Sequence, residues 1–441
     1  MKMRIKSKTR KKQKLSLKER FLSIGTNLTN GKLRNPATLL LWFQILAFSL
    51  VLANDRENFT IKKLFVFVTV IVVVYMANKA VTKITDGDNY LLLIASMLFS
   101  IGVTMIYRIS PTEGIKQTIW FIGGLVLFFI VYFILKSFRG WENLTILYLI
   151  GCFAMFIITL LFAGYNKGAY NWVQIFGFSF QLSEITKILY VFFIASYQVN
   201  DKFLKGTKFE KYLKYKDYLF MIISYVFIGM FFLQRDLGSA VIFFAVYIVS
   251  LFVFDYDIKI IVGNIILALF GAVAAYFIFP HIQTRFEIWI DPWADPGYKG
   301  YQIIQSLFAI AAGGFFGTGL GLGQPNLIPI ATSDFIFPAI VEEMGIFTGM
   351  GVIMLFMILV YRGFKISMEQ QSSFFKFVAL GISVLFAVQA ILMIGGVLKV
   401  IPMTGITIPF VSYGGSSMVS SFMSLGILQY CSSDIKGRMV D

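Results

Sequence analysis

The run FFKFVALGISVLFAVQAILMIGGVL, residues 374–398, carries one charged side chain, Lys376. An apolar stretch of this length is long enough to cross a bilayer as a helix. Eleven further runs of similar character occur along the chain. The twelve predicted spans cover residues 37–53, 61–80, 89–109, 115–136, 141–163, 182–199, 217–233, 238–254, 258–280, 335–361, 374–398 and 409–430. The sequence therefore predicts an all-α polytopic membrane protein.

The composition of the whole chain supports the same class. Of its 441 residues, 58% are apolar and 14% are charged, against roughly 25% charged residues in ordinary soluble domains. A soluble fold cannot bury that much apolar surface, which excludes a soluble enzyme, a nucleic-acid reader and a secreted scaffold. Two cysteines, Cys152 and Cys431, and one histidine, His281, argue against a disulfide framework and are too few for a His- and Cys-based zinc site.

Positive charge is concentrated on one side of the predicted spans. Residues 1–36 carry twelve Lys or Arg side chains, and 28 of the 39 in the chain fall in this tail or in loops on the same side. Ten fall on the opposite side, and Lys187 lies within a span. Because cytoplasmic loops are enriched in Lys and Arg, both termini are predicted to be cytoplasmic. The basic tail is expected to contact anionic lipid.

Two segments on the opposite, external side are long. Residues 164–181 and 281–334 mix Trp, Tyr and Phe with Gly. Because this composition is typical of helices that lie on the membrane surface, interfacial helices are predicted in both segments. On the cytoplasmic side, residues 200–216 form the longest loop, and its six Lys side chains are expected to be solvated and to face lipid.

Ionisable side chains in or near the spans are candidate site residues, because charge inside a bilayer is costly and usually functional. Glu184 and Lys187, in QLSEITK, share a helix face at i and i+3 and are predicted to pair. They line a polar cavity in which Lys187 holds an anionic substrate, or else they extend to the membrane surface. Asp236, in QRDLGSA, either caps the next helix or faces the cavity. Glu342 and Glu343 lie deeper in an apolar run and are expected to have a cavity or packing role.

The external stretch RFEIWIDPWADPGYKGYQIIQS contains two Asp-Pro steps, at Asp291 and Asp295. Asp-Pro is a common turn opener, so one step is expected to form a turn. Asp295 is the candidate general base, because neighbouring aromatic side chains lower the local dielectric constant and favour proton uptake by a carboxylate. Arg285 and Lys299 are nearby cations suited to phosphate.

Two motifs of small residues lie on the external side. GGFFGTGLGLGQ, residues 313–324, lacks the GK[ST] of a nucleotide-binding loop, and is interpreted as a turn in which backbones approach closely. SYGGSS, residues 412–417, opens the last predicted span. Ser412 and Ser416 are candidate donors to an anion, with close helix packing as the alternative role for this motif.

The external position of these groups restricts the reaction. ATP and nucleotide sugars are absent there, so a transferase needs a donor already activated on a carrier, such as a polyprenyl pyrophosphate. Lys187, Arg285 and Lys299 would receive the pyrophosphate. Asp295 would deprotonate an acceptor hydroxyl.

At these residues the sequence resembles the SEDS family of bacterial cell-wall polymerases, to which FtsW, RodA and SpoVE belong. The matching stretches occur in the family's order over residues 88 to about 430: QLSEITK, QRDLGSA, DPWADPGYKGYQIIQS, SDFIFPAIVEEMG and PMTGITIPFVSYGGSS. The resemblance implies a ten-helix core that polymerises lipid II into glycan strands, usually with a class B penicillin-binding protein. It implies that Asp295 is the catalytic carboxylate and that Lys187 is the Lys after the family's QPSE motif. Leu182 and Arg235 stand where the family's QPSE and QPD motifs have Pro.

The predicted organisation follows from the resemblance and the spans. We expect a basic cytoplasmic tail over residues 1–36 and two extra N-terminal helices over 37–87. A SEDS-like core is expected over 88–434, with the long external loop 281–334, and a cytoplasmic tail over 435–441.

The function predicted from the sequence is an inverting peptidoglycan glycosyltransferase on the outer face of the cytoplasmic membrane, in division, elongation or sporulation. Intramembrane charges would serve a transporter of lipid-linked precursor equally well, but a transporter needs a path to the cytoplasmic side. A non-catalytic scaffold for a penicillin-binding protein is a third hypothesis, against which Asp295 argues. No cofactor is assigned, a divalent cation (Mg²⁺ or Mn²⁺) is left open, and no nucleic-acid partner is expected.

Overall fold

The computed structural model describes residues 35–54, 61–166, 169–175, 178–200 and 215–438. The predictions for the basic tail up to residue 34 and for the Lys-rich loop over 201–214 lie outside the described residues. Within these ranges the α-helices are α1 (Pro36–Asn54), α2 (Ile61–Ile84), α3 (Asn89–Ile109), α4 (Pro111–Ser137), α5 (Thr145–Phe162), α6 (Ser183–Val199), α7 (Lys216–Leu233), α8 (Leu237–Val253), α9 (Ile258–Ile278), α10 (Pro280–Ile290), α11 (Tyr301–Gly313), α12 (Ile336–Glu369), α13 (Ser373–Val397) and α14 (Gly415–Arg438).

Each of the twelve predicted spans overlaps one of these helices, which confirms the all-α polytopic architecture. Nine helices in the described part of the chain are long and apolar enough to cross a membrane. The boundaries differ most at α12, which continues to Glu369 rather than to residue 361, and at α14, which begins at Gly415 rather than at residue 409 and continues to Arg438. Phe410, before it, has φ +66°, a left-handed backbone conformation that a helix does not contain.

The first of the two long segments between predicted spans differs from its prediction. Residues 164–181 were expected to form interfacial helices, but the chain forms a three-stranded antiparallel sheet in the order β1 (Ala163–Asn166), β2 (Ala169–Ile175) and β3 (Phe178–Phe180). The prediction was wrong because aromatic residues mixed with glycine suit a tight hairpin as well as an interfacial helix. The second segment does contain two helices, α10 and α11.

Two of these nine helices are mostly buried inside the bundle. In the most apolar 18-residue stretch of α3, 83% of the residues are buried, and in that of α13 the share is 72%. Polar residues in α3 are satisfied inside the helix, since the Ser100 and Thr104 hydroxyls donate to the carbonyl oxygens of Ser96 and Ser100, each at 2.6 Å. This arrangement allows small polar residues to pack at the centre without unpaired groups.

The two N-terminal helices are fastened to α3 by side-chain amides. Gln44 Nε2 of α1 donates to Ser100 Oγ at 2.8 Å, and Asn78 Nδ2 of α2 donates to Ser96 Oγ at 3.1 Å. Hydrogen bonds between apolar helices are favoured because the alternative is a polar group facing hydrocarbon. The helix pair is therefore docked on the centre of the bundle.

Helix α12 is interrupted at Gly345, where φ is +81° and ψ is +166°. The glycine-rich segment 313–319 runs beside the interruption and supplies partners for the backbone groups there. Four backbone hydrogen bonds join the two segments: Thr318 N to Glu342 O (2.9 Å), Gly319 N to Glu343 O (3.0 Å), Ile346 N to Gly314 O (2.9 Å) and Phe347 N to Phe315 O (3.2 Å). The predicted close approach of backbones at this motif is confirmed.

We expect Gly345→Ala to lower the free energy of unfolding by about 1–3 kcal/mol, because side chains disfavour this backbone conformation and a Cβ would overlap the backbone of Phe315. Gly351→Ala in the same helix is the control, since a Cβ there meets no atom within 4 Å. Thermal unfolding of the purified chain in detergent measures both. Equal shifts for the two variants would contradict this account of the break.

Candidate active site

The bundle contains a cavity of about 990 Å³. Its walls come from α4, the sheet, α6, α8, α10, the start of α14 and two irregular segments, residues 330–334 and 404–414. Charged side chains of both signs line it. They are Glu113, Lys116, Glu184, Lys187, Arg235, Asp236, Arg285 and Asp334.

An ion pair at the start of α6 forms one wall. Lys187 Nζ lies 2.8 Å from Glu184 Oε1, and Glu184 Oε2 accepts from Ser420 Oγ of α14 at 2.6 Å. The residues Lys187 and Glu184 are 3% and 5% exposed. The predicted i, i+3 pair is confirmed, and it lies against the cavity. A buried ammonium that faces a cavity can bind an anion when its carboxylate partner is displaced.

Asp236 combines the two roles considered for it. It is the N-cap of α8, where its carboxylate accepts from the Ser239 backbone N–H at 3.0 Å and from the Ser239 hydroxyl at 2.9 Å. It also accepts from the amides of Asn171 in β2 and Gln181, both at 3.2 Å. The cap thus joins the sheet, the entry to α6 and α8 around one carboxylate.

Arg285 extends from α10 into the cavity. Its Nη1 donates to the carbonyl oxygens of Met403 at 3.2 Å and Thr404 at 2.8 Å. Burial lowers the pKa of this guanidinium, and the negative charges of Asp236 and Asp334 act in the opposite direction. The guanidinium is held in place by carbonyls and by charge, as a preformed anion site requires.

Several buried polar atoms that line the cavity have no hydrogen-bond partner within the described part of the protein. These are Asn171 Oδ1, Ser333 Oγ and Thr404 Oγ1. Because buried polar groups are nearly always hydrogen-bonded, these atoms offer hydrogen-bonding positions to a polar ligand in the cavity.

The candidate base lies outside this cavity wall. Asp295 is exposed at the end of the 3₁₀ turn Pro292–Ala294 and accepts weakly from the Lys299 backbone N–H at 3.4 Å. Asp291 caps the same turn by accepting from the Trp293 backbone N–H at 3.0 Å, as expected for a turn opener. Lys299 is half exposed and lies 3.8 Å from Glu287, so it is not brought to the cavity with Lys187 and Arg285.

The two candidate serines organise the wall without lining the cavity themselves. Ser412 Oγ donates to the Ser333 carbonyl at 2.8 Å and accepts from the Ile408 backbone N–H at 2.9 Å. Ser416 Oγ accepts from the Gln181 backbone N–H at 3.0 Å. These serines fix the loops that carry the lining residues.

Glu342 and Glu343 bind the glycine-rich loop instead of the cavity. Glu342 Oε1 accepts from the Gln324 backbone N–H at 2.7 Å, and Glu343 Oε2 accepts from the Gly321 backbone N–H at 2.8 Å. Arg108 Nε lies 3.5 Å from Glu343 Oε1, and its Nη2 donates to the Gly321 carbonyl at 3.0 Å. Of the roles expected for these carboxylates, packing fits the observed contacts.

Sequence reasoning missed Asp334 and Arg235 as cavity residues. Asp334 lies in SDFIFP, ahead of Glu342 and Glu343, and its approach to Arg285 depends on the fold. Arg235 has φ +58°, which a proline ring cannot adopt. The turn before α8 therefore differs in conformation from one built on a QPD motif.

No group of three or more His, Cys, Asp or Glu side chains in the described residues is arranged to hold a metal ion. The cations of the cavity, Lys187, Arg235 and Arg285 among them, are the groups available there to bind an anion.

Comparison with known proteins assigns the chain to a family. The family model for FtsW, RodA and SpoVE, described as a cell cycle protein, matches residues 88–436. The chain belongs to the FtsW/RodA/SpoVE family. The match begins just before α3, so α1 and α2 precede the part that defines the family.

Curated members of the FtsW/RodA/SpoVE family are similar over most of their length. The peptidoglycan glycosyltransferase RodA of Mycobacterium tuberculosis is 34% identical over 361 residues, which are 77% of this chain and 77% of that protein. The stage V sporulation protein E of Bacillus subtilis is 32% identical over 363 residues, covering 79% of this chain and 97% of that protein.

Two solved structures share the fold of this chain. A chain of a peptidoglycan synthase complex aligns with a TM-score of 0.65 at 23% identity, over 79% of this chain and 98% of that one. The rod shape determining protein RodA of Thermus thermophilus aligns with a TM-score of 0.56 at 21% identity, over 79% of this chain and 97% of that one. The chain is thus a multi-pass membrane protein with the family's helical core.

Proposed function

We propose that this protein is a peptidoglycan glycosyltransferase that polymerises lipid II on the outer face of the cytoplasmic membrane. Family membership supports the reaction class, because relatives above 30% identity are named peptidoglycan glycosyltransferases. The observation that carries the proposal is the cavity of about 990 Å³, lined by Lys187 and Arg285 and by orphaned polar atoms. Its cations suit a pyrophosphate.

The proposed reaction inverts the anomeric centre. A hydroxyl of the acceptor sugar attacks the anomeric carbon of the lipid-linked donor, and the bond from that carbon to the pyrophosphate oxygen breaks. Undecaprenyl pyrophosphate leaves with the bonding electrons, and the hydroxyl proton passes to Asp295 as general base. Lys187 and Arg285 stabilise the negative charge that develops on the leaving group.

The donor and the acceptor are proposed to bind at two separate positions. The pyrophosphate of the donor is proposed to occupy the cavity beside Lys187 and Arg285. Because Asp295 lies in the exposed turn after α10, the acceptor hydroxyl is proposed to meet it at the mouth of the cavity. Helix α10 carries Arg285 and leads directly into the turn that ends at Asp295, so one element links the two places.

A class B penicillin-binding protein is the proposed partner, since a structural neighbour of this chain belongs to a peptidoglycan synthase complex. The decisive assay is polymerisation of purified lipid II by the purified full chain, with and without a cognate class B penicillin-binding protein. Glycan strands that depend on this chain support the proposal. Movement of lipid II across a vesicle bilayer with no polymer formed in either condition would favour a transporter instead.

Labelling of single cysteines tests the proposed orientation of the chain in the membrane. Single cysteines at Trp293 and Lys299 are expected to react with an impermeant maleimide in intact cells, and cysteines at Lys208 and Lys436 only after permeabilisation. The native Cys152 and Cys431 are buried, so their background should be low. Cytoplasmic behaviour at Trp293 would reverse the orientation and remove the argument that excludes nucleotide-linked donors.

A further inference from the structure

A second cavity, of about 390 Å³, lies between α1, α2 and α3. Two of its three walls come from helices that precede the family match, so this groove is a feature of the N-terminal helix pair and not of the shared core. It lies at the end of the bundle where α1 begins, α2 ends and α3 begins. That end is cytoplasmic in the proposed topology.

The groove is lined by both apolar and polar side chains. Leu40, Leu41 and Leu93 in its walls are buried or half-buried, whereas Lys79 and Asn89 are exposed and form its polar mouth. The amides of Gln44 and Asn78 also line it but already donate to serines of α3. Apolar walls beside an exposed cation at a membrane boundary match the two parts of a phospholipid.

The charge at the mouth is positive. Lys79 is exposed and is the only charged side chain among the described residues that line the groove. The α2–α3 connection carries two carboxylates, neither of which lines the groove. Asp86 is exposed, and Asp88 is held by Arg362 through two hydrogen bonds of 2.7 and 2.8 Å. Arg362 also lies over the ring of Tyr90, another groove residue, at 4.4 Å. The Asp88 charge is therefore compensated, and Lys79 remains to attract an anion.

We propose that this groove binds an anionic glycerophospholipid of the inner leaflet. The headgroup phosphate meets Lys79 and Asn89 at the mouth, and one acyl chain lies along Leu40, Leu41 and Leu93. Basic pockets between helices on the cytoplasmic side suit anionic headgroups. The proposal does not depend on the glycosyltransferase assignment, because it concerns a separate cavity.

Native mass spectrometry of the purified full chain in detergent tests the site, with phosphatidylglycerol or phosphatidylcholine as the added lipid. We expect wild type to retain phosphatidylglycerol preferentially and Lys79→Gln to weaken its binding about fivefold. Lys83→Gln is the matched control, since Lys83 is exposed on the same helix but does not line the groove. Leu41→Trp, which fills the slot, is expected to reduce binding of both lipids.

Two results would overturn the proposal: equal retention of the two lipids by wild type, or equal losses for Lys79→Gln and Lys83→Gln. Gel filtration of each variant identifies any that fail to fold. Should Lys79→Gln fail to fold, Leu41→Trp still decides, because unchanged phosphatidylglycerol binding in that variant would exclude the groove. The measurement contains no lipid II, so its failure is distinct from failure of the polymerase assignment.

Discussion

Asp295→Asn is expected to lower the rate of glycan polymerisation by about 10²–10⁴-fold, the loss typical when a general base is removed. The protein should remain folded, because Asp295 is exposed and its side chain makes only a 3.4 Å contact with the Lys299 backbone. Lipid II binding should be almost unchanged, since the residue does not line the cavity. The measurement is turnover of purified lipid II at saturating substrate, beside a binding assay.

Two other carboxylates serve as comparisons. Asp291→Ala removes a turn cap and should lose far less activity than Asp295→Asn. Asp334→Asn tests whether Asp334 is the base instead, because this carboxylate lines the cavity near Arg285. We expect Asp334→Asn to weaken substrate binding more than it lowers the maximal rate. Activity of Asp295→Asn within twofold of wild type would remove this residue as the base, and a rate loss confined to Asp334→Asn would transfer the role.

Lys187→Met is expected to weaken lipid II use at least tenfold, because it removes the buried cation proposed to receive the pyrophosphate. The same change leaves Glu184 as a buried charge without its ammonium, which typically destabilises a protein by about 3–5 kcal/mol. Activity alone would therefore confuse binding with folding. The double variant Glu184→Gln/Lys187→Met removes both charges and separates the two effects.

We expect the double variant to unfold near the wild-type temperature and still to use lipid II poorly across a range of concentrations. Lys187→Arg should be partly active, since a planar guanidinium does not replace a compact ammonium in a fitted site. Lys365→Met is the control for loss of an ion pair, because Lys365 pairs with Glu369 at 3.7 Å in an exposed position. Near-normal turnover in the double variant would remove Lys187 from the site.

The sequence predicted the helices well because about 20 apolar residues in a row are a strong local signal. It was weaker where the signal is not local. The start of α14 was placed too early, since the residues before it are apolar but include the left-handed Phe410. The sheet over residues 163–180 was missed because hydrophobic composition does not distinguish a short hairpin from an interfacial helix.

The site residues also differ in whether local sequence spacing predicts their contacts. The Glu184–Lys187 pair follows from spacing within α6, and the Asp236 cap follows from its position just before α8. Both were predictable. The approach of Asp334 to Arg285 joins residues from distant parts of the chain, and no spacing rule reports it. The motif that contains Ser412 and Ser416 does line the cavity, but these two serines do not. Which small side chains of the motif face the cavity depends on backbone angles that the motif does not encode.

The break in α12 has a consequence for how the chain enters the bilayer during synthesis. The piece before Gly345 begins at Ile336 and is about 14 Å long at 1.5 Å per residue, which is too short to cross about 30 Å of hydrocarbon. The piece after it, Ile346 to Glu369, is about 36 Å long and crosses unaided. We therefore expect the insertion machinery to thread only the second piece, while the first docks against residues 313–319, which are synthesised before it.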